Sequence, residues 1–164
     1  MGIMKGKRER IFRSAETLAK ILLSRRDYSM AEMRGKLQAQ GLTDPEVEKA
    51  IHILEYQGLL NDERYAERIA ESLAREKLLG PEKIRQKLIQ KGISNEWVTP
   101  AIEKAEENWA AKERLHRLLE SKCKNHKLLE PKEKKKVANF LYRRGYFWED
   151  IIEALQETGG YTPE

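Results

Sequence analysis

Apolar residues recur along this chain at helical spacing, and the recurrence itself repeats. After Gly80-Pro81, Ile84 and Leu88 fall on one helical face, Lys83, Lys87 and Lys91 share a neighbouring face, and Gly92 follows. Glycine tolerates a left-handed backbone at a helix end, and proline suits a first helical turn. The stretch Gly58–Ile93 therefore predicts a helix, a tight break, a basic helix and a Gly turn. Met33, Leu37, Gly41, Val47 and Ile51 match Ile84, Leu88, Gly92, Val98 and Ile102 at an offset of 51 residues. Val137, Leu141, Gly145, Ile151 and Leu155 match them again 53 residues further on. A period of about 50 residues with glycine held in register points to a repeat array.

Each repeat reads as three helices, with the Gly turn between the second and third. The expected organisation is a basic arm over residues 1–13, repeats over 14–58, 59–107 and 108–158, and a short tail over 159–164. In the first repeat, a helix starts at Ser14, buries Leu18, Ile21 and Leu22, and ends near Arg26-Asp27. Ser29-Met30-Ala31-Glu32 has the form of a capping box, and Thr43-Asp44-Pro45-Glu46 opens the third helix. Asn61-Asp62 caps the first helix of the second repeat. The third repeat departs from the pattern. Pro131 stands 14 residues before its glycine where Pro81 stands 11 before Gly92, so its second helix is longer or follows extra loop. No Gly or Pro lies between Ala101 and Leu129, so the second and third repeats join through a kink near Glu107-Asn108. Pro100 should distort the first turn of the helix that holds it. No alternating strand pattern occurs. The fold class is all-α, an elongated array of three tandem three-helix repeats that support one another.

Charge refines this picture. Lys and Arg number 32 against 27 Asp and Glu, for a formal charge of +5 and a pI near 9.2. The excess sits in the first thirteen residues and the last third, while the two middle stretches are slightly acidic. Local faces, not the whole surface, must carry any nucleic-acid binding. On the second repeat's basic helix stand Lys83, Arg85, Lys87 and Lys91. The third repeat's equivalent carries Lys132, Lys134, Lys135, Lys136, Arg143 and Arg144, with Tyr142, Tyr146, Phe147 and Trp148 nearby. Phosphate attraction and stacking are both available to such a set. The helix after each Gly turn carries acids instead (Glu46, Glu48; Glu96, Glu103; Glu149, Asp150, Glu153), which argues against major-groove reading by a helix–turn–helix. Trp97, Trp109 and Trp148 are expected to pack between repeats.

Catalysis finds no foothold. His52, His116 and His126 are scattered, and no metal-ligand pair, phosphate loop or nucleophile–base motif occurs. Neither a cofactor nor a metal is expected. Cys123 stands alone between Lys122 and Lys124, which excludes an internal disulfide and fits a reducing cytoplasm. An inert thiol is the simpler reading there, an activated one the sharper. The apolar run Ala19–Leu23 is too short to span a bilayer.

Gly58-Leu-Leu-Asn-Asp-Glu-Arg-Tyr-Ala, Gly80-Pro81, Ile84-Arg85-Gln86-Lys87-Leu88 and Lys91-Gly92-Ile93 together closely resemble the bacterial RecX family. Phe140-Leu-Tyr-Arg-Arg-Gly-Tyr and Ile151-Ile152-Glu153-Ala154-Leu155 resemble its closing block, so the likeness covers roughly residues 14–158. The resemblance implies a non-enzymatic, cytoplasmic and monomeric regulator of the recombinase RecA. Such proteins bind along the groove of the RecA–DNA filament and generally inhibit strand exchange, ATP hydrolysis and repressor co-cleavage. Contact with single- and double-stranded DNA, directly or within the filament, is expected through the basic faces read above: Lys83, Arg85, Lys87, Lys91, Lys132, Lys135, Lys136, Arg143 and Arg144. The first repeat is less basic and has Ser29-Met30 in place of the Gly-Pro break. A helical-repeat DNA- or RNA-binding protein independent of RecA, and a scaffold for another protein, are the competing readings.

Overall fold

The structure is a computed structural model that describes residues 14–123 and 130–157. The expected arm at 1–13 and tail at 159–164 lie outside the described residues, as do Lys124 and His126. Among the described residues the chain forms helices and no strand. In order they are α1 (Ala15–Leu23), α2 (Met30–Ala39), α3 (Asp44–Tyr56), α4 (Asp62–Arg75), α5 (Pro81–Gln90), α6 (Asn95–Asn108), α7 (Ala111–Lys122), α8 (Pro131–Arg143) and α9 (Trp148–Glu157). They group by threes into three repeats. None is long and apolar enough to cross a membrane.

The helix starts follow the predicted caps. The Ser14 hydroxyl accepts the Thr17 N–H at 3.2 Å, and Asn61 Oδ1 accepts the Arg64 N–H at 2.8 Å. Ser29 and Glu32 close a reciprocal box at 3.0 and 3.2 Å, and the Thr43 N–H reaches Glu46 at 2.8 Å. α1 passes into a turn after Leu23, with the Arg25 and Arg26 N–H groups still reaching the Leu22 carbonyl at 3.1 and 3.4 Å and the Ser24 hydroxyl donating to the Ile21 carbonyl at 2.8 Å. Gly41, Gly92 and Gly145, the glycines in register, have φ of +85°, +76° and +90°. In this left-handed region a Cβ is costly, and it is the region that reverses the chain after a helix.

The chain divides into two compact units, Met1–Leu60 and Asn61–Glu164. In the first, Ala19, Met33, Leu37, Val47, Ile51 and Leu54 form the core. The second unit holds two cores, one per repeat. Its first gathers Tyr65, Ala66, Ala70, Ile84, Leu88, Val98 and Ile102, with Trp97 and Trp109 packed against the same cluster. Those two indoles therefore pack on the core of their own repeat. Ala66 and Ala70 on α4 and Ala101 and Ala105 on α6 are all buried, and small side chains let two helices approach closely. α6 runs through Pro100, its first turn closed by the Trp97 and Val98 N–H groups both reaching the Ser94 carbonyl. Only Trp109 and Ala110 separate α6 from α7. Glu106 bridges the break, accepting the Ala111 N–H at 2.6 Å. α8 has 13 residues against 10 in α5, which settles the Pro131 spacing at least partly as a longer helix.

The two repeats of this unit are locked through the Lys77–Gly80 segment between α4 and α5. Leu79 returns to the core of its own repeat, whereas Leu78, at φ +48°, packs into the core of the next. The carbonyls of Lys77, Leu78 and Leu79 accept from Arg144, from the Tyr146 hydroxyl at 2.9 Å and from Arg114 at 3.0 Å. The Gly80 N–H donates to the Arg144 carbonyl at 2.8 Å, and the Glu82 N–H to the Gly145 carbonyl at 3.1 Å. Gly80 and Gly145 meet backbone to backbone. A Cβ on Gly80 would overlap the Gly145 carbonyl, and one on Gly145 would overlap Lys83.

Gly80 itself has φ −74°, which any residue adopts, so its substitution isolates the cost of this contact. Gly80→Ala should destabilise the protein by about 1–3 kcal/mol. Gly35→Ala, in the interior of α2 with open space around it, should stabilise by about 0.5–1 kcal/mol. Urea unfolding of the two variants beside the parent checks both signs.

Candidate nucleic-acid interface

Burial of Ile84 and Leu88 orients α5, and the basic side chains follow from that anchoring. Lys83, Arg85, Lys87 and Lys91 are all half-buried, their aliphatic stems lying on the surface of the repeat. Lys83 Nζ donates to Gln86 at 3.3 Å, and Arg85 donates to Thr99 Oγ1 at 3.3 Å. The Lys91 ammonium stands 5.7 Å from the centre of the Tyr65 ring. Ile89, half exposed at 49 %, shares this helix. Lys83, Lys87 and Lys91 thus share one side of α5, while Arg85, which also lies 3.6 Å from Glu82, shares another with Ile89.

α8 sorts its cations more sharply. Leu141 and Ala138 hold it to the core. Lys132, Lys135, Lys136 and Arg143 are exposed, while Lys134 is buried. Arg144 turns inward: besides bonding the Lys77 carbonyl, its guanidinium lies 5.4 Å from the centre of the Phe140 ring. The structure thus places the Arg144 guanidinium in the junction between repeats, where the Lys83 backbone also lies against Gly145. Arg143 lines a hollow of about 310 Å³ with Lys136, Asn139 and Tyr142. Tyr142 and Trp148 are 60 % and 41 % exposed and meet edge to face, ring centres 6.1 Å apart. Trp148 thus finds its ring partner within its own repeat. Tyr146, grouped with these aromatics in the sequence, is instead buried with its hydroxyl on the Leu78 carbonyl, and burial pushes its phenol pKa up.

The last turn of α8 leads into Gly145, which abuts Lys83 in the first turn of α5. The two basic helices therefore meet end to start at the glycine contact. The acids of the third helices are largely occupied elsewhere. Glu48 takes a two-pronged contact from Arg34 at 2.7 and 3.2 Å, and Lys112 holds Glu153 at 2.8 Å. Hydrogen bonding to Lys112 lowers the pKa of Glu153, as the Arg34 bond lowers that of Glu48. These helices are tied to neighbouring helices of their own repeats and present no cationic reading face.

Sequence reasoning missed Arg114. It is buried, donates to Glu106 at 2.7 Å as well as to Leu79, and lies beside the Tyr146 hydroxyl. The available signal was its place one turn before Leu118 on an apolar stripe. Cys123 is half-buried, and burial together with nearby Glu133 raises its thiol pKa, the opposite of activation. Among the described residues no cluster of His, Cys, Asp or Glu could hold a metal ion.

Comparison with known proteins finds the same three-part division. Residues 18–54, 61–102 and 111–155 match the first, second and third three-helix domains of RecX. The chain is 37% identical over 145 residues to the regulatory protein RecX of Cronobacter sakazakii, covering 79% of this chain and 83% of that one. It is 34% identical over 137 residues to that of Vibrio vulnificus, covering 83% and 87%. The crystal structure of RecX from Lactobacillus salivarius superposes with a TM-score of 0.74 at 22% identity, over 88% of this chain and 94% of that one. It shares the fold.

The contrast between adjacent arginines can be measured. Arg144→Ala should cost about 1.5 kcal/mol or more, through loss of a charged donor to a backbone carbonyl. Arg143→Ala should stay within about 0.5 kcal/mol of the parent, as exposed substitutions do. Thermal melts read by circular dichroism separate the two.

Proposed function

This chain belongs to the RecX family, and from that premise we propose that it regulates the RecA recombinase. In this reading it binds as a monomer in the groove of the RecA–DNA filament in the cytoplasm. It inhibits strand exchange, ATP hydrolysis and repressor co-cleavage without a cofactor and without catalysis of its own. The observation that carries the reading is the pair of cationic helices, α5 and α8, that meet at Gly145 and Lys83 in one compact unit. Lys83, Arg85, Lys87 and Lys91 on one helix, and Lys132, Lys135, Lys136 and Arg143 on the other, face the filament and its phosphates. Arg144 contributes by fixing the junction on which both helices rest.

A second reading, direct binding to DNA or RNA without RecA, draws support from the exposed aromatics beside the α8 cations. Binding to labelled single-stranded DNA, bare and coated with RecA plus a non-hydrolysable ATP analogue, decides between them across a salt series. Much tighter binding to the coated strand is expected, and equal or better binding to bare DNA would select the second reading. Reversing the charge of Lys83, Lys87 and Lys91 together should weaken filament binding. It should also flatten the log–log salt slope by about 2, at roughly 0.7 per phosphate contact on a single strand. A triple variant that inhibits RecA undiminished would rule out this surface.

A further inference from the structure

We propose that the Tyr142–Trp148 edge of the third repeat is a seat for one unpaired nucleobase, with Lys136 and Arg143 holding the flanking phosphates. The inference rests on the nucleic-acid reading of the α8 face and narrows it to a site. Two large rings are held in edge-to-face contact, 6.1 Å apart, at 60 % and 41 % exposure, outside the core of their repeat. Beside them Lys136, Asn139, Tyr142 and Arg143 line a hollow of about 310 Å³, at the low end of what small organic ligands fill. Asn139 brings an amide that can both donate to and accept from a base edge.

The surrounding charge selects the occupant. An apolar knob from a protein partner would have to strip water from the Lys136 and Arg143 heads and leave them without compensation. A nucleotide covers the rings with its base and answers both cations with phosphate, the combination that single-strand binders use without regard to sequence. Glu149 is exposed and follows Trp148 directly, so the phosphates belong with Lys136 and Arg143 and not beside it. Glu133, one turn before Lys136, is engaged as half of a capping box, accepting the Glu130 N–H at 3.2 Å. Duplex DNA presents no unstacked base, so the site would choose single strands.

The test uses the full chain at low salt without RecA, so that its failure leaves the filament reading standing. Fluorescence anisotropy compares a short oligothymidylate with an abasic strand of equal length. The parent should bind the thymidine strand about tenfold more tightly. Trp148→Ala and, independently, Tyr142→Ala should erase most of that preference and leave abasic binding unchanged. Lys136→Gln should weaken both strands alike. Because both rings are exposed, the alanine variants should melt as the parent does. Equal affinity for the two strands, no binding to the thymidine strand, or a preference that survives Trp148→Ala would overturn the proposal.

Discussion

Polar backbone groups taken out of water must find partners, and in this protein that requirement is concentrated in the short Lys77–Gly80 segment. The chain there leaves α4, passes through a left-handed leucine and enters α5 too abruptly for its carbonyls to be served by either helix. The third repeat serves them instead, with an arginine from α7, an arginine from the end of α8 and a tyrosine hydroxyl. A left-handed non-glycine residue costs about 1–2 kcal/mol, which the bonds around Leu78 and its burial in the neighbouring core offset. The direction in which α5 sets out is thus decided by residues in the following repeat. So is the placement of one basic helix relative to the other.

The cations illustrate how composition hides function. A formal charge of +5 spread over the surface would mean little, and most surface ion pairs contribute little to stability. What matters is how the charges are spent. Lys104 meets Glu67 at 2.7 Å, Lys112 meets Glu153, and Arg34 meets Glu48, each within a repeat. Arg114 and Arg144 are structural. Such pairing removes acids from competition and leaves Lys132, Lys135, Lys136 and Arg143 as a local field that the net charge does not reveal.

Much of the fold was legible in the sequence because its signals are local. Ser29 with Glu32, Asn61, and the glycines at 41, 92 and 145 each specify their own backbone geometry within a few residues, and repetition multiplied the signal. The candidate site was legible only in part. Helical spacing separated Leu141 from Lys135, but it could not tell Arg143 from Arg144, or Tyr142 from Tyr146. In each pair one member is drawn inward by carbonyls on a segment 67 or 68 residues away. Those carbonyls belong to residues whose side chains say nothing about them. Trp97 and Trp109 are ambiguous in the sequence for a related reason: an indole near a helix end looks the same whether it packs within its repeat or beyond it.

The clamp also has a history in time. A ribosome adds about 5–20 residues per second, so the 68 residues between Leu78 and Tyr146 take roughly 3 to 14 s to make. From about Asn108 onward the second repeat is complete in sequence while its Leu78 carbonyl and the Leu78 side chain still wait for their partners. During synthesis, water must occupy the seat that Tyr146 later takes. The second repeat reaches its final form only once the third has been made through Tyr146.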